Sequence, residues 1–551
     1  MLAPVRASPG QSGPAGPLVT TGPAPQDRGV DALALLGLLV LGLVVLTPVA
    51  DRIGVPQPVL LTVYGIGLGF IPAAPAPDLP PDLILPLVLP PLLFAATQTT
   101  SVRELRQAAA PVLALAVGLT ITTAFLVAVV AHALGLPWAV ALVLGGIVAP
   151  PDPVAATAVA SRLHLPPRLV TVLEGEGQFN DATALVIYQL SVMAVVAGGV
   201  STGQVGLGLL VAVAGGAALG LAGGWLARWA LGRLHDPAAE TTVTVATPFA
   251  LYVLAERLEA SGVLAVLLAA LFLRARSSHE TTSAGWLLGR SVWQYVNFAV
   301  SGLLFGFLGA ELSSVLGTTS LLGDRGTLDV AAAVVGVLVL WRALAMFTAS
   351  AIARRRARQH GSATPAGWRE AAVTSWAGMR GVVTVATALA LPRAVDGGGA
   401  FPFREEVVLV ALLVVIVTLV LQGLTLAPLI RRLGVASDAD PALDARRLHR
   451  RATEAALARV RESAEGVPPE VVQAVVGQYE SRLGYRRAVE DLIGGDVGGK
   501  EAGVHLRRLL ARASEAEREA VLLARRTGEA SPAAADDVLF DIEARALRYG
   551  G

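Results

Sequence analysis

Thirteen long apolar segments follow one another along this chain and constrain its fold more than any other feature. They lie at about residues 32–50, 56–71, 83–97, 109–134, 137–160, 168–198, 204–231, 241–256, 261–275, 289–316, 328–351, 369–391 and 405–430. About 20 apolar residues in a helix cross the roughly 30 Å of hydrocarbon in a bilayer. Only 15% of the 551 residues are charged, against about 25% in soluble domains. The sequence therefore predicts an all-α polytopic membrane protein with thirteen transmembrane helices.

The loop arginines predict how these segments are oriented. With thirteen crossings and the C-terminus inside, the inner loops would hold fifteen arginines and the outer loops four. An alternating bias of this kind is what the positive-inside rule requires. An arginine- and alanine-rich composition is also typical of GC-rich bacterial genomes. We therefore expect a multi-pass protein of a bacterial inner membrane with a cytoplasmic C-terminus.

Composition divides the chain into three regions. Residues 1–30 are rich in proline and glycine and lack the basic and apolar parts of a signal peptide, so we expect a disordered leader. Residues 31–430 would form the transmembrane domain. Residues 431–551 are charged and helix-prone, which predicts a helical cytoplasmic tail.

Several function classes are disfavoured by what the sequence lacks. A formal net charge of +1 argues against nucleic-acid binding. The chain has no cysteine, which excludes thiolate and disulfide chemistry. It contains neither a P-loop nor an H-E-x-x-H pattern. We expect a protein that is not an enzyme and that uses no cofactor.

The fifth apolar segment contains an acidic residue inside a proline-rich break. Asp152 is flanked by Pro150, Pro151 and Pro153, which cannot donate backbone hydrogen bonds, so helical carbonyls would be freed in mid-membrane. Broken helices at membrane depth are tolerated where they line a cavity, and they mark ion sites in transporters. We expect Asp152 and Pro151 to lie at such a cavity. The alternative is a proline kink in which Asp152 pairs with a neighbouring helix.

The sixth segment carries the acidic motif Glu174-Gly-Glu-Gly-Gln-Phe-Asn-Asp181. An ionised carboxylate near the bilayer centre costs at least about 2.5–3.5 kcal/mol, so such a residue faces a bundle interior or a water-filled cavity. Asp181 could hold either a proton or a cation such as Na⁺, with Asp152 nearby and Asn180 orienting the carboxylate. A purely structural polar cluster is the alternative.

Two other charged residues in apolar segments need an interpretation. Arg380 lies in the twelfth segment and requires an acidic partner. We favour Glu176, because an arginine–carboxylate pair can be bidentate, and Glu174 is the alternative. Glu256, at the end of the eighth segment, could line an outer funnel of the cavity or lie at the membrane interface beside Arg257.

With these residues in place, the chain resembles the monovalent cation:proton antiporter family, which includes bacterial and archaeal NhaP-like sodium/proton antiporters and the animal sodium/proton exchangers. The resemblance runs over about residues 32–430. Its most specific element is 174–181, similar to the family's E-G-E-S-x-x-N-D. Supporting elements are Ala149-Pro-Pro-Asp-Pro-Val154, Leu89-Pro-Pro-Leu-Leu-Phe94, Ala255-Glu256 with Ser261-Gly262, and Trp376-Ala-Gly-Met-Arg-Gly381.

The resemblance implies a thirteen-helix homodimer built from inverted repeats, with core spans at about 109–198 and 328–430. The fifth and twelfth spans would be the crossed, discontinuous pair. It further implies that Asp181 carries cation and proton, that Asn180 and Asp152 support it, and that Glu176 pairs with Arg380. An Asn-Asp motif goes with electroneutral exchange in this family, and transport would proceed by an elevator-like movement of the core.

Three positions depart from the family pattern and reduce the oxygen ligands. Pro151 stands where threonine is usual, Gly177 replaces a serine one turn before Asp181, and Ala95 follows the 89–94 motif where many members have glutamate. Fewer fixed ligands argue against strict selectivity among Na⁺, Li⁺ and K⁺. From the resemblance we expect an antiporter for Na⁺, with K⁺ or Li⁺ as further substrates, acting in pH homeostasis. A cation channel or leak, and a membrane sensor that has lost transport, are the alternatives.

Overall fold

The structure is a computed structural model that describes residues 25–71, 80–98, 109–152, 165–197, 202–276, 282–318, 325–360, 367–435, 441–463, 468–494 and 499–527, together with positions 538 and 542. Within these ranges the chain is helical, with one isolated β-bridge between Ala394 and Ala400. Contacts divide the chain into two compact units, Met1–Ala436 and Ser437–Gly551.

The first unit contains fifteen α-helices in its described ranges. These are α1 (Pro25–Ile53), α2 (Gln57–Gly69), α3 (Pro81–Gln98), α4 (Ala109–Leu113), α5 (Thr120–Ala133), α6 (Trp138–Val148), α7 (Pro167–Val196), α8 (Thr202–Leu231), α9 (Pro237–Arg257), α10 (Gly262–Arg276), α11 (Ser283–Thr318), α12 (Arg325–His360), α13 (Trp368–Trp376), α14 (Val382–Leu389) and α15 (Arg404–Leu433). A π-helical segment, Ala114–Leu119, joins α4 to α5.

Eight helices in the described ranges are long and apolar enough to span a membrane. The spans are Leu33–Ile53, Ala114–Ala133, Val172–Val196, Gly206–Leu231, Pro237–Arg257, Ala284–Ser314, Gly326–Arg355 and Arg404–Leu433. Shorter apolar helices cover Gln57–Gly69, Pro81–Thr97 and Trp138–Val148. The prediction of an all-helical polytopic protein is confirmed at this level, while the count of thirteen crossings stays a prediction.

Local sequence signals explain where several helices begin and end. Asp236 caps the start of α9, where its carboxylate accepts a hydrogen bond from the Ala239 N–H at 2.8 Å. At the other end of the unit, α15 stops at Gly434, whose φ of +61° is the left-handed conformation that glycine adopts freely. The predicted disordered leader covers residues 1–30. Residues 1–24 lie outside the described residues, and residues 25–30 form the first turns of α1.

The helices of the first unit pack into two groups. In one group α2 lies along α11 and α8 lies along α10, with α1, α3 and α9 beside them. In the other, α6 packs between α5 and α7, and α12 contacts α5, α13 and α15. Between the groups α3 contacts α14, α11 contacts α14, and α10 contacts α7. The predicted ion-site segments, α6, α7 and the α13–α14 pair, therefore belong to the second group.

The second unit contains three helices within its described residues. They are α16 (Pro441–Glu462), α17 (Pro469–Gly494) and α18 (Gly499–Thr527). Helices α16 and α17 pack together, and Arg461 bridges to Glu480 at 2.8 Å. The bridge is solvent-exposed, so it contributes little stability.

Glycines let α2 and α11 approach each other at backbone distance. A Cβ added at Gly65 would lie 2.0 Å from the Gly306 carbonyl oxygen, and one added at Gly309 would lie 2.1 Å from the Thr62 carbonyl oxygen. Small residues at helix interfaces commonly serve this purpose in membranes, where tight packing replaces the hydrophobic driving force.

We expect Gly65→Ala to push α2 away from α11 and to lower thermal stability. Overpacking of this kind costs about 1–3 kcal/mol. Gly67→Ala is the matched control on the same helix, because nothing lies within 4 Å of its added Cβ, and it should leave stability unchanged or slightly raised. Melting curves of the purified protein in detergent measure both, and equal melting temperatures for the two variants would contradict the close approach.

Candidate functional site

Two interrupted helices face each other at the centre of the second helix group. Helix α6 ends at Val148, and the twelfth apolar segment is split into α13 and α14 by residues 377–381. The Asp152 N–H donates to the Met379 carbonyl at 2.7 Å. In return the Val382 N–H, at the start of α14, donates to Asp152 Oδ2 at 3.2 Å. Asp152 is thereby held by the break in the twelfth segment, and residues 153–160 of its own segment lie outside the described residues.

Arg380 supplies hydrogen bonds to carbonyl groups at the end of α6 that have lost their helical donors: Pro153 has no N–H for Ala149, and the N–H of Asp152 donates to Met379 instead of to Val148. Its Nε donates to the Val148 carbonyl at 2.8 Å, and its Nη2 donates to the Ala149 carbonyl at 3.2 Å. A further bond runs from Nη1 to the Gly378 carbonyl. Broken backbone in a membrane must be satisfied internally, and here a buried guanidinium does so.

Gly381 is required where the two breaks meet. A Cβ at this position would lie 1.6 Å from Asp152 Oδ2, which is far inside van der Waals contact. Only glycine allows the Asp152 carboxylate to sit against the main chain at the start of α14.

Helix α7 presents two different polar faces. Glu174, Gly177 and Asp181, spaced i, i+3 and i+7, share one face and line a cavity of about 300 Å³. Glu176 and Asn180, spaced i and i+4, are buried on another. The amide of Asn180 donates from Nδ2 to the Pro151 carbonyl at 3.0 Å, while its Oδ1 has no partner among the residues that the structure describes.

The cavity is lined by three carboxylates and no basic side chain among the described residues. The acids are Asp152, Glu174 and Asp181. Neutral polar side chains come from α11 and α14, and apolar walls come from α3 and α10. The remaining lining residues are Leu92, Leu93, Ala95, Ala96, Pro150, Gly177, Leu267, Asn297, Ser301, Gly381, Val382, Val383 and Thr384.

The predicted partner of Glu176 was wrong. Its carboxylate forms a bidentate pair with Arg342 of α12, with Nη1 2.5 Å from Oε1 and Nη2 3.0 Å from Oε2. Arg380 instead donates to main-chain carbonyls. Arg342 was missed by the sequence argument, although one signal was present, since it lies well inside the apolar run 328–351.

The arginines and the cavity acids line two different pockets near the end of α6. Pro151, Glu176, Arg342 and Arg380 line a separate small pocket of about 10 Å³. The prediction for Pro151 is thus corrected: it borders this second pocket and is not among the residues lining the larger cavity. The guanidinium of Arg342 is engaged by Glu176 and that of Arg380 by main-chain carbonyls, and neither arginine is among the residues that line the larger cavity.

Glu256 does not line the cavity within the described part of the chain. It lies at the exposed end of α9, where its Oε1 accepts a hydrogen bond from Gln189 Nε2 of α7 at 3.2 Å. Its exposed position is compatible with the interface alternative, and the outer funnel stays a prediction. Gly177, the third residue predicted to border the cavity, does line it.

A protein-family sequence model described as "Sodium/hydrogen exchanger, transmembrane" matches residues 38–432. This range includes every element of the site. The chain belongs to the sodium/hydrogen exchanger family. Family members are transporters rather than enzymes, and their chemistry is the exchange of a cation for a proton across the membrane.

Similarity to individual proteins supports the family assignment of this exchanger. It is 33% identical over 466 residues to an uncharacterized Na⁺/H⁺ exchanger of Mycobacterium bovis, a match covering 83% of this chain and 85% of the relative. It is 30% identical over 457 residues to the Na⁺/H⁺ antiporter ApNhaP of Aphanothece halophytica, covering 78% and 81%. The sodium proton antiporter MjNhaP1 of Methanocaldococcus jannaschii shares its fold, with a TM-score of 0.57 and 19% identity over 74% of this chain and 100% of that one.

We expect the exchanger's Glu176→Gln and Arg342→Gln variants each to lose stability, by about 3–5 kcal/mol, because removing one partner leaves a buried charge uncompensated. The double variant should be less damaged than the sum of the two. Thermal unfolding in detergent, analysed as a double-mutant cycle, gives the coupling.

Arg380→Gln serves as the comparison. A cycle of Glu176→Gln with Arg380→Gln should show weaker coupling, since the described hydrogen bonds of the Arg380 guanidinium go to carbonyl groups. Stronger coupling of Glu176 to Arg380 than to Arg342 would restore the pairing expected from the sequence.

Proposed function

We propose that this chain is a monovalent cation/proton antiporter in which Asp181 alternately holds a proton and a cation. The observation that supports the proposal most directly is the charge distribution of the cavity. Three carboxylates line it, while Arg342 and Arg380 line a separate small pocket. A carboxylate such as Asp181 that faces a buried space can lower its energy in two ways, which are to take up a proton or to take up a cation. Competition between the two is exchange.

The residues of the site would divide the work. Asp181 faces the cavity from α7 and would bind Na⁺ or a proton. Asp152, held by the N–H of Val382, would contribute a second carboxylate and set the local field. Asn180 would stabilise the unwound chain through the Pro151 carbonyl, and the Glu176–Arg342 pair would fix α7 against α12.

The wider mechanism follows from the family resemblance. Thirteen spans with inverted repeats would place the C-terminal tail in the cytoplasm of a bacterial inner membrane. The α6 and α13–α14 breaks would be the crossed, discontinuous pair. The protein would work as a homodimer without a cofactor, exchange one cation for one proton electroneutrally, and move its core between the two sides of the membrane. Na⁺ is the expected substrate, K⁺ and Li⁺ are further candidates, and the physiological role would be pH homeostasis.

Asp181→Asn should abolish cation-driven proton movement, because an amide neither ionises nor exchanges a proton. The measurement uses a pH-sensitive dye in proteoliposomes containing the full-length protein, with Na⁺, Li⁺ or K⁺ added in turn. Asp329→Asn is the control, since Asp329 is an exposed aspartate near the start of α12 in the same unit. Robust Na⁺-driven proton flux in Asp181→Asn would refute the carrier role of this residue.

A second measurement separates an antiporter from a channel. Under an imposed membrane potential without an ion gradient, an electroneutral antiporter should move neither protons nor charge. Steady current that is uncoupled from proton movement would identify a channel or leak instead. A dependence of exchange on potential would overturn the one-for-one stoichiometry while leaving antiport intact.

A further inference from the structure

Two hydroxyl groups at the cavity lack any hydrogen-bond partner among the described residues. They are Ser301 Oγ of α11 and Thr384 Oγ1 of α14. Both residues line the cavity, and both are at least nine-tenths buried, with 9% of Ser301 and 1% of Thr384 exposed. An unsatisfied buried polar group costs about 1–3 kcal/mol, so whatever occupies the cavity should pair with them.

Neighbouring hydroxyls on the same helices behave differently. Thr387, three residues beyond Thr384 on α14, donates to the Val383 carbonyl at 2.8 Å. Ser313 of α11 donates to the Ala310 carbonyl at 2.8 Å. Serine and threonine in helices commonly bond the preceding turn in this way. The two cavity hydroxyls do not, and Ser301 and Thr384 are therefore the exceptions to be explained.

Several neutral oxygens near the cavity already accept hydrogen bonds or are absent, whereas the amide of Asn297 also lines it. The Val148 and Ala149 carbonyls accept from Arg380, and the Pro151 carbonyl accepts from Asn180. Gly177 and Ala95, which line the cavity, have no side-chain oxygen. An ion entering from water must exchange its hydration shell for protein oxygens. The carboxylates supply charge, and neutral ligands must come from the amide and hydroxyl groups that line the cavity, of which Ser301 and Thr384 supply the hydroxyls.

We propose that the hydroxyl oxygens of Ser301 and Thr384 are neutral ligands of the transported cation and help to set its selectivity. The inference rests on the proposed antiport function and deepens it. Thr384 belongs to the same helix group as Asp181, whereas Ser301 belongs to the other group. A small cation, which holds its water most tightly, loses most when one such oxygen is removed, so Li⁺ and Na⁺ should be affected more than K⁺.

The experiment compares Ser301→Ala and Thr384→Val with Ser313→Ala and Thr387→Val, all in the full-length protein. Loss of one ligand of ordinary hydrogen-bond strength should raise the KM for Na⁺ about 2- to 10-fold with kcat nearly unchanged. Ser301→Thr and Thr384→Ser keep the hydroxyl, so each should have a KM for Na⁺ close to that of the unaltered protein. Binding of ²²Na⁺ to the detergent-solubilised protein, competed with Li⁺ and K⁺, provides a readout that needs no transport.

The outcomes distinguish this inference from the function on which it rests. If the cavity variants match the Ser313 and Thr387 controls in KM and in ²²Na⁺ binding, the hydroxyls hold only water and the inference is overturned. If Asp181→Asn still exchanges, or the unaltered protein does not exchange at all, the proposed function fails. In that case a selective loss of ²²Na⁺ binding in Ser301→Ala and Thr384→Val would still establish the cation site.

Discussion

The hydrogen bonds from Arg380 to the broken end of α6 are the interaction on which the rest of the site depends. The carbonyl of Ala149 lacks a helical donor because Pro153 has no N–H, and that of Val148 lacks one because the Asp152 N–H donates to Met379. Without another donor, both carbonyls would be unsatisfied in mid-membrane. The guanidinium satisfies them and is itself provided with acceptors. Because donor and acceptors come from different breaks, neither interruption would be stable without the other.

This arrangement also separates the buried charged groups. Arg380 is occupied by carbonyls and Arg342 by Glu176, and both arginines line the small pocket. The acids Asp152, Glu174 and Asp181 line the larger cavity. A membrane protein rarely keeps several carboxylates at one cavity without a functional reason. Their presence here is the strongest physical reason to regard the cavity as a place where mobile positive charge enters and leaves.

Much of this could be predicted from the sequence, because apolar run length, proline chemistry and the cost of buried charge act locally. These gave the helical membrane class and placed Asp152, Gly177 and Asp181 at one site. What failed was pairing across distance. Arg342 lies 166 residues from Glu176, and nothing in either segment indicates which of two buried arginines a carboxylate meets. Glu174 was predicted only as an alternative partner of Arg380. Its i, i+7 spacing to Asp181 places it instead on the helix face that lines the cavity.

The bond between Val382 and Asp152 joins residues 230 positions apart, and this separation has a consequence for biosynthesis. At roughly 5–20 residues per second, the ribosome makes the donor about 10 to 50 seconds after the acceptor. During that interval the fifth segment must enter the membrane with neither Arg380 nor the start of α14 available. The newly made chain therefore passes through a stage in which the end of α6 and Asp152 are unsupported, and timely insertion of the last segments becomes a condition for avoiding degradation.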